Sequence, residues 1–407
     1  MPAREPVKDA LAERIAVHVE ALCLRHPDRH VGSEGNRAAN EYFAESVRIH
    51  GFEVERTGFP CIDWEPGEVA LSAGGEAFEA FPGPYSNPYE GVAELVAAST
   101  VEELESLDAR GRVLLLTGSV ASSQLTPRDY PWYRFEEHTR ILEATEHAAP
   151  EAVIAATGRD PMAGALYPFP LIEDGDVGIP SAYMRDVDGE RLRKHAGGTV
   201  RLRIGSRRAP ARCEQLVARR PGGAGRVVAA AHIDTKPATP GALDNATGVA
   251  CLLAVAELLH GMPLPHAVEL LPFNGEDHYA SPGQVEYVRA NEGRFGEIRL
   301  AVNIDAAGFR GGPTAVSTYE CPDELREGVA RAASRRELLT EGRPWPQSDH
   351  MIFAMRGVPA VALTSAEAQR VLEEIAHTRE DLPGLADPAL LAETARFVAE
   401  LLTMIVP

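Results

Sequence analysis

Basic residues are in short supply in this 407-residue chain. Lys and Arg total 40 against 60 Asp plus Glu, a formal charge of −20. That deficit argues against a phosphate-binding groove, and so against nucleic acid or another polyanion as partner. Only three of the basic residues are Lys (Lys8, Lys194, Lys236), a bias to which no function is attached. Cysteine is also sparse: Cys23, Cys61, Cys213, Cys251 and Cys321 stand at long, unrelated spacings without a C-x-x-C pair. An odd count so arranged suits neither a disulfide framework nor a thiolate zinc site, and a reducing, cytoplasmic setting is expected. No apolar run approaches the roughly 18 residues of a membrane span, and the polar stretch Met1 to Arg14 carries no export signal, so no membrane association is expected. Internal repeats and low-complexity tracts are missing too.

What is present is a globular composition, 44% hydrophobic and 25% charged, long enough for several cores. Leu11, Ile15, Val19 and Leu22 recur at helical spacing, and a second helix runs to Ile49 before Gly51. Residues 52–56 alternate like a strand. The texture then changes: within 66–208, strand-like pieces at 113–117, 152–156 and 200–204 surround a helix at 136–147, a small α+β unit of its own. From 209 the signals lengthen into strand 226–231, helix 246–260, strands 267–273 and 299–304, helix 323–337, strand 359–364 and helix 387–405. Strands interleaved with helices imply a doubly wound α/β fold. The expected architecture is one α/β domain, 1–65 plus 209–407, interrupted by an inserted module at 66–208.

Ligands of open α/β sheets gather beyond the carboxyl ends of the strands, so the residues just past each strand carry the functional information. They are all metal-ligand types: His232 and Asp234, Asp244, Glu276 and Asp277, Asp305, and His377. Each alone has an ordinary structural reading. His232 suits a partly buried histidine, Asp244-Asn245 a helix N-cap, Glu276-Asp277 an exposed acidic turn, and Asp305 a turn cap. Together they fit a hydrolytic site in which two divalent ions share a bridging carboxylate and a water. Oxygen and imidazole donors without thiolate suit zinc, with manganese or cobalt as substitutes. Asp244, fixed at a helix start, is the natural bridge. His232 with Asp305 completes one ion and Asp277 with His377 the other. Asp234 is placed to orient the His232 imidazole, and Glu276 to act as general base.

The stretches 231–235, 240–249, 273–277, 303–308, 348–350 and 377–381 resemble, in order and character, the co-catalytic zinc aminopeptidases, a family that includes glutamate carboxypeptidases and glutaminyl cyclases. The resemblance implies a zinc-exopeptidase fold with a mixed sheet, two zinc ions, and the same roles for His232, Asp244, Glu276, Asp277, Asp305 and His377. The inserted segment resembles a protease-associated domain at 111–116, 150–154 and 178–183. In relatives such a module can roof the active site, which makes the aromatic stretch 130–135 either a substrate wall or the module's own core. Two positions depart from the family: Asp277 stands where Glu is more usual, and Ala376 where several relatives carry an oxyanion-donating Tyr. Arg343 or His350 is then a candidate donor.

The implied function is an aminopeptidase acting on short peptides, since carboxylates at the site favour a free α-ammonium. The alternative is an amidase or carboxypeptidase for one small metabolite, with the loop 309–347 (Arg310, Arg343, Trp345) receiving a carboxylate. The substrate-binding candidates are accordingly Arg343, Trp345 and His350. A non-catalytic scaffold is the reading from a different class.

Overall fold

Asp9 caps the first helix, Ala10–Glu20, by accepting from the Leu11 amide, and Ser33 caps the second, Glu34–Ile49, by accepting from Asn36 N. The latter helix begins at Glu34, where the Ser33 cap sets its boundary, and ends at Ile49 as expected. The computed structural model describes residues 9–128 and 130–404. They form two compact units, the described parts of 1–59 with 212–407 and of 60–211. The smaller unit thus begins six residues before the expected 66 and ends three after the expected 208.

The larger unit contains an eight-stranded sheet in the order Glu53–Glu65, Arg207–Arg220, Ala267–Phe273, Arg226–His232, Ile298–Ile304, Ala360–Ser365, Thr314–Tyr319, Leu339–Glu341. The four central strands are mutually parallel, while Arg207–Arg220 pairs antiparallel to Ala267–Phe273 and Thr314–Tyr319 antiparallel to Ala360–Ser365, so the sheet is mixed. Period-two alternation assigns the faces. Val227, Ala229 and Ala231 join Val268, Leu270, Leu300, Val302 and Ile304 in one core, against the helices Ala10–Glu20, Thr247–Leu259 and Pro388–Thr403. Phe273 meets Tyr287 and Phe353 in edge and tilted ring contacts. Both faces are therefore covered.

The helical run Ala242–Leu259 corrects one expectation. Its 18-residue window has a mean hydropathy of 1.5, apolar and long enough to cross a membrane, but 83% of it is buried inside the protein. It is the central core helix, read as too short from sequence because Asp244 and Asn245 interrupt it.

The smaller unit has its own mixed eight-stranded sheet, with Tyr89–Ala98, Arg112–Leu116, Ala152–Thr157 and Ser181–Arg185 parallel at its centre. Leu114, Leu116, Val153 and Ala155 face one core, and Val113, Leu115, Ala152 and Ile154 the other. The aromatic stretch 130–135 belongs to neither core. Tyr133 and Phe135 are 42% and 53% exposed, and the rings contact one another instead.

Candidate metal centre

The chain order fixes where the site must lie. From Arg226–His232 the chain moves to one neighbour, Ala267–Phe273, and then crosses to the other, Ile298–Ile304. The order reverses beside His232, and the carboxyl ends of these three strands open onto a topological switch point.

His232 is buried at that point, with Nε2 3.0 Å from Asp244 Oδ1 and 3.5 Å from Asp305 Oδ1. His377 presents Nε2 3.1 Å from Asp244 Oδ2 and 3.1 Å from Asp277 Oδ1. The two oxygens of Asp244 thus face different imidazoles, one in each half of the cluster. Burial lowers the proton affinity of both imidazoles, but Asp244 and Asp305 around His232, and Asp277 and Asp244 around His377, outweigh it and raise both pKa values well above the ordinary value. Desolvation opposes ionisation of Asp244, yet its two imidazole partners hold its pKa below the usual range.

The donors fit divalent cations. Nδ1 of His232 lies 3.2 Å from the Asp234 carbonyl, so it can keep its proton there while Nε2 gives up its own to bind an ion. Buried Nε2 of His232 and Oδ2 of Asp277 make no hydrogen bond of acceptable geometry. Ligand atoms of His232, Asp244 and Asp277 lie within 4.8 Å of one another. The raised proton affinity of both imidazoles reflects the pull of these carboxylates on positive charge, and a divalent ion would take the place of the Nε2 proton.

Asp234 differs from its expected role. Its carboxylate is 3.8 Å from His232 Nδ1 and instead accepts from the amides of Gly275 (2.8 Å), Glu276 (3.2 Å) and Asp277 (3.0 Å). It shapes the turn that carries base and ligand, leaving the His232 proton to its own backbone carbonyl. Half-buried Glu276 has its pKa raised well above the usual carboxylate value by desolvation, with the Asp277, Asp305 and Asp349 charges adding to it.

The N-cap role foreseen for Asp244-Asn245 falls to Asn245, whose Oδ1 accepts from Gly248 N (3.0 Å) while Nδ2 donates to Ile304 O (2.8 Å). Asp244 is left to the site, and the Asp244–Asn245 peptide is cis. Sequence reasoning assigned no role to Asp381, although it stands in one of the family-like stretches. Its carboxylate accepts from Leu243 N (2.7 Å) and Asp244 N (3.0 Å), and burial pushes its pKa up to about 7. Asp349 also lacked a role: it accepts from Gln284 Nε2 at 2.9 Å, and burial raises its pKa to about 7.

The substrate-binding candidates fare unevenly. Arg343 is exposed, and its carbonyl accepts from Ser317 Oγ. Trp345 packs on His350 with ring centroids 4.5 Å apart. His350 Nε2 lies 2.9 Å from Trp345 O and therefore carries the ring proton, while burial lowers the pKa to about 4. Its Nδ1 is an acceptor, so the side chain cannot serve as an oxyanion donor as it stands. Arg310 donates to the carbonyls of Gly384 and Ala386 and is not available to a substrate carboxylate.

Residues 215–402 match the model of Peptidase family M28, a span that includes every metal-ligand candidate, and the resemblance expected from the motifs is borne out there. Among curated proteins the chain is similar to the probable lipoprotein aminopeptidase LpqL of Mycobacterium tuberculosis (26% identical, covering 68% of this chain and 54% of that protein) and aminopeptidase YwaD of Bacillus subtilis (24%, 67% and 58%). The chain thus spans little more than half the length of these two relatives. Among solved structures it resembles an aminopeptidase from Aneurinibacillus sp. strain AM-1 (TM-score 0.75, 20% identical, covering 96% of this chain and 92% of that one). It also resembles a zinc aminopeptidase from Bacillus subtilis (TM-score 0.74, 20% identical, 96% and 94%).

Proposed function

We propose, from the premise that residues 215–402 match Peptidase family M28, that the chain is a two-zinc aminopeptidase releasing the N-terminal residue of short peptides. The observation that carries this reading is the division of the Asp244 oxygens between His232 and His377. His232 and Asp305 would hold one ion, His377 and Asp277 the other, with Asp244 shared between them. When bound, such ions polarise a scissile carbonyl and bring the pKa of a water towards neutrality. Glu276 takes the proton of the attacking water and returns it to the departing amine. Asp234 keeps Glu276 in place through the 275–277 amides. The carboxylates at the rim attract a free α-ammonium within a Debye length of about 8–10 Å. Ala376 is buried and offers no hydroxyl to the oxyanion. Manganese or cobalt would satisfy the same donor set. The excess of acid supports a peptide rather than a nucleic acid as partner, and the scattered cysteines support a cytoplasmic setting.

The test is a substrate panel of aminoacyl, N-acylated and C-terminally amidated compounds, with Glu276→Gln as control. Free-amine substrates should be cleaved preferentially; equal cleavage of N-blocked peptides overturns the aminopeptidase assignment in favour of an amidase or carboxypeptidase.

A further inference from the structure

Arg29 is fully buried, yet its guanidinium makes no ion pair among the described residues. It donates instead to four backbone carbonyls: Nε to Ile233 O (3.0 Å), one terminal nitrogen to Leu22 O (2.9 Å) and Pro240 O (2.8 Å), and the other to Gly241 O (2.8 Å). Ile233 adjoins His232, while Pro240 and Gly241 open the loop that delivers Asp244. The approach is close enough to demand glycine at 241, where φ is +57°. A Cβ there would come within 2.3 Å of the Thr235 methyl, 2.5 Å of Asp244 O and 3.0 Å of the Arg29 terminal nitrogen. The Arg29 carbonyl reaches a third loop: Asn36 Nδ2 donates to it at 2.8 Å and to Asn274 Oδ1 at 2.8 Å, and Asn274 precedes the Gly275-Glu276-Asp277 turn.

Burying a guanidinium without a directly paired carboxylate costs several kcal/mol unless its donors are engaged and its charge is used; buried Asp381 lies near enough for the Arg29 charge to favour its ionised form. Four convergent carbonyls engage four of its five donors in a planar fork that an ammonium cannot reproduce. We propose that Arg29 is a positioning residue of the metal centre, locking the His232 strand end to the Asp244 loop in the spacing two ions require before either ion binds. The inference rests on the two-metal reading of this site.

Direct metal binding to the full-length chain tests it, without recourse to turnover. Arg29→Met and Arg29→Lys are titrated with zinc against a chelator, and with cobalt by visible absorption, beside Arg226→Met as a control. Arg226 is a buried guanidinium paired with Glu269, away from the metal-bearing loops. Arg29→Met should weaken affinity for at least one ion by about tenfold or more, the range for groups that support metal ligands. It should also alter the cobalt spectrum. Arg29→Lys should fall between it and the unaltered chain, and Arg226→Met should lower stability while binding metal normally. A folded Arg29 variant with unaltered affinity for both ions and an unaltered spectrum overturns the inference. So does Arg226→Met weakening binding to the same extent. If neither Arg29 variant folds, amide exchange in the stripped, unaltered chain decides: Ala242 and Ala246, which donate to Asp381 O and Gly241 O, should be protected without metal, and unprotected exchange overturns the inference. Failure of the unaltered chain to bind any ion would instead sink the two-metal reading itself.

Discussion

In the smaller unit the buried carboxylates of Asp160, Asp174, Glu173 and Asp188 are met by donors from the protein. Asp160 accepts from Gln124 N and Met162 N, and Asp174 from Arg128 N and Asp176 N, all at 2.8–2.9 Å. Glu173 accepts from the Gln124 side chain, and Asp188 from Arg185 and Arg191. In the larger unit Asp244, Asp277 and Asp305 converge instead on two imidazoles, with Lys236 Nζ 3.7 Å from Asp277. Both units place acids around a mixed sheet with a parallel centre, so topology alone does not make a metal site. The difference lies in whether backbone amides and guanidinium groups complete the charge balance or leave it for cations from outside.

The largest effect that could break this comparison is on turnover. Glu276→Gln should lower kcat by about 10²–10⁴-fold while metal analysis still finds both ions. Undiminished turnover would remove Glu276 from the mechanism. Next, chelation should lower the unfolding midpoint of the larger unit and leave that of the smaller unit in place. Metal at a thousandfold excess over its Kd contributes about 4 kcal/mol. Equal shifts in both units, followed by calorimetry, would erase the distinction.

A third test asks whether the larger unit is acid-sensitive for reasons other than its metal edge. His18, hydrogen-bonded to Tyr42 Oη at 2.6 Å, has its pKa lowered by burial to about 4. Its ordinary value is about 6.5, so the unfolded chain takes the proton first. The stability His18 contributes is complete above pH ~6.5 and is lost as the pH falls towards 4, a total of about 3 kcal/mol. His18→Gln should flatten that part of a stability–pH curve, and an unchanged slope would refute the assignment. The smallest effect belongs to the smaller unit. Asp160→Ala should cost about 1–3 kcal/mol in denaturant unfolding by orphaning two amides, with zinc affinity unaltered.

The ligand types and the central strands were legible because they depend on local pattern. Residues 267–273 were delimited correctly from their apolar run, and the metal-ligand types stood out at the positions just beyond the strand ends. The strand Arg207–Arg220 escaped because its Arg-rich, proline-containing sequence has neither period, its ladder being supplied by distant neighbours. The Asp234 carboxylate was misassigned because proximity in sequence to His232 suggested one partner, whereas the strand pairing brings three amides from residues 275–277 within reach. Arg29 was invisible for a related reason. Nothing in its neighbours announces that carbonyls 204 and 212 residues away will close around it.

Gly248 sits where the core helix leaves the site. A Cβ there would come within 2.4 Å of Asn245 Oδ1, 2.6 Å of Ile304 O and 2.9 Å of the Ala231 methyl, each belonging to a residue next to a metal-ligand candidate. The hydrophobic interior and the reactive edge therefore share one joint, and neither can be altered alone at that residue. A mutational screen scored only on lost activity would return Gly248 beside His232, Asp244 and Asp305. Scoring the same library for metal retention as well as folding would separate the joint from the ligands it spaces.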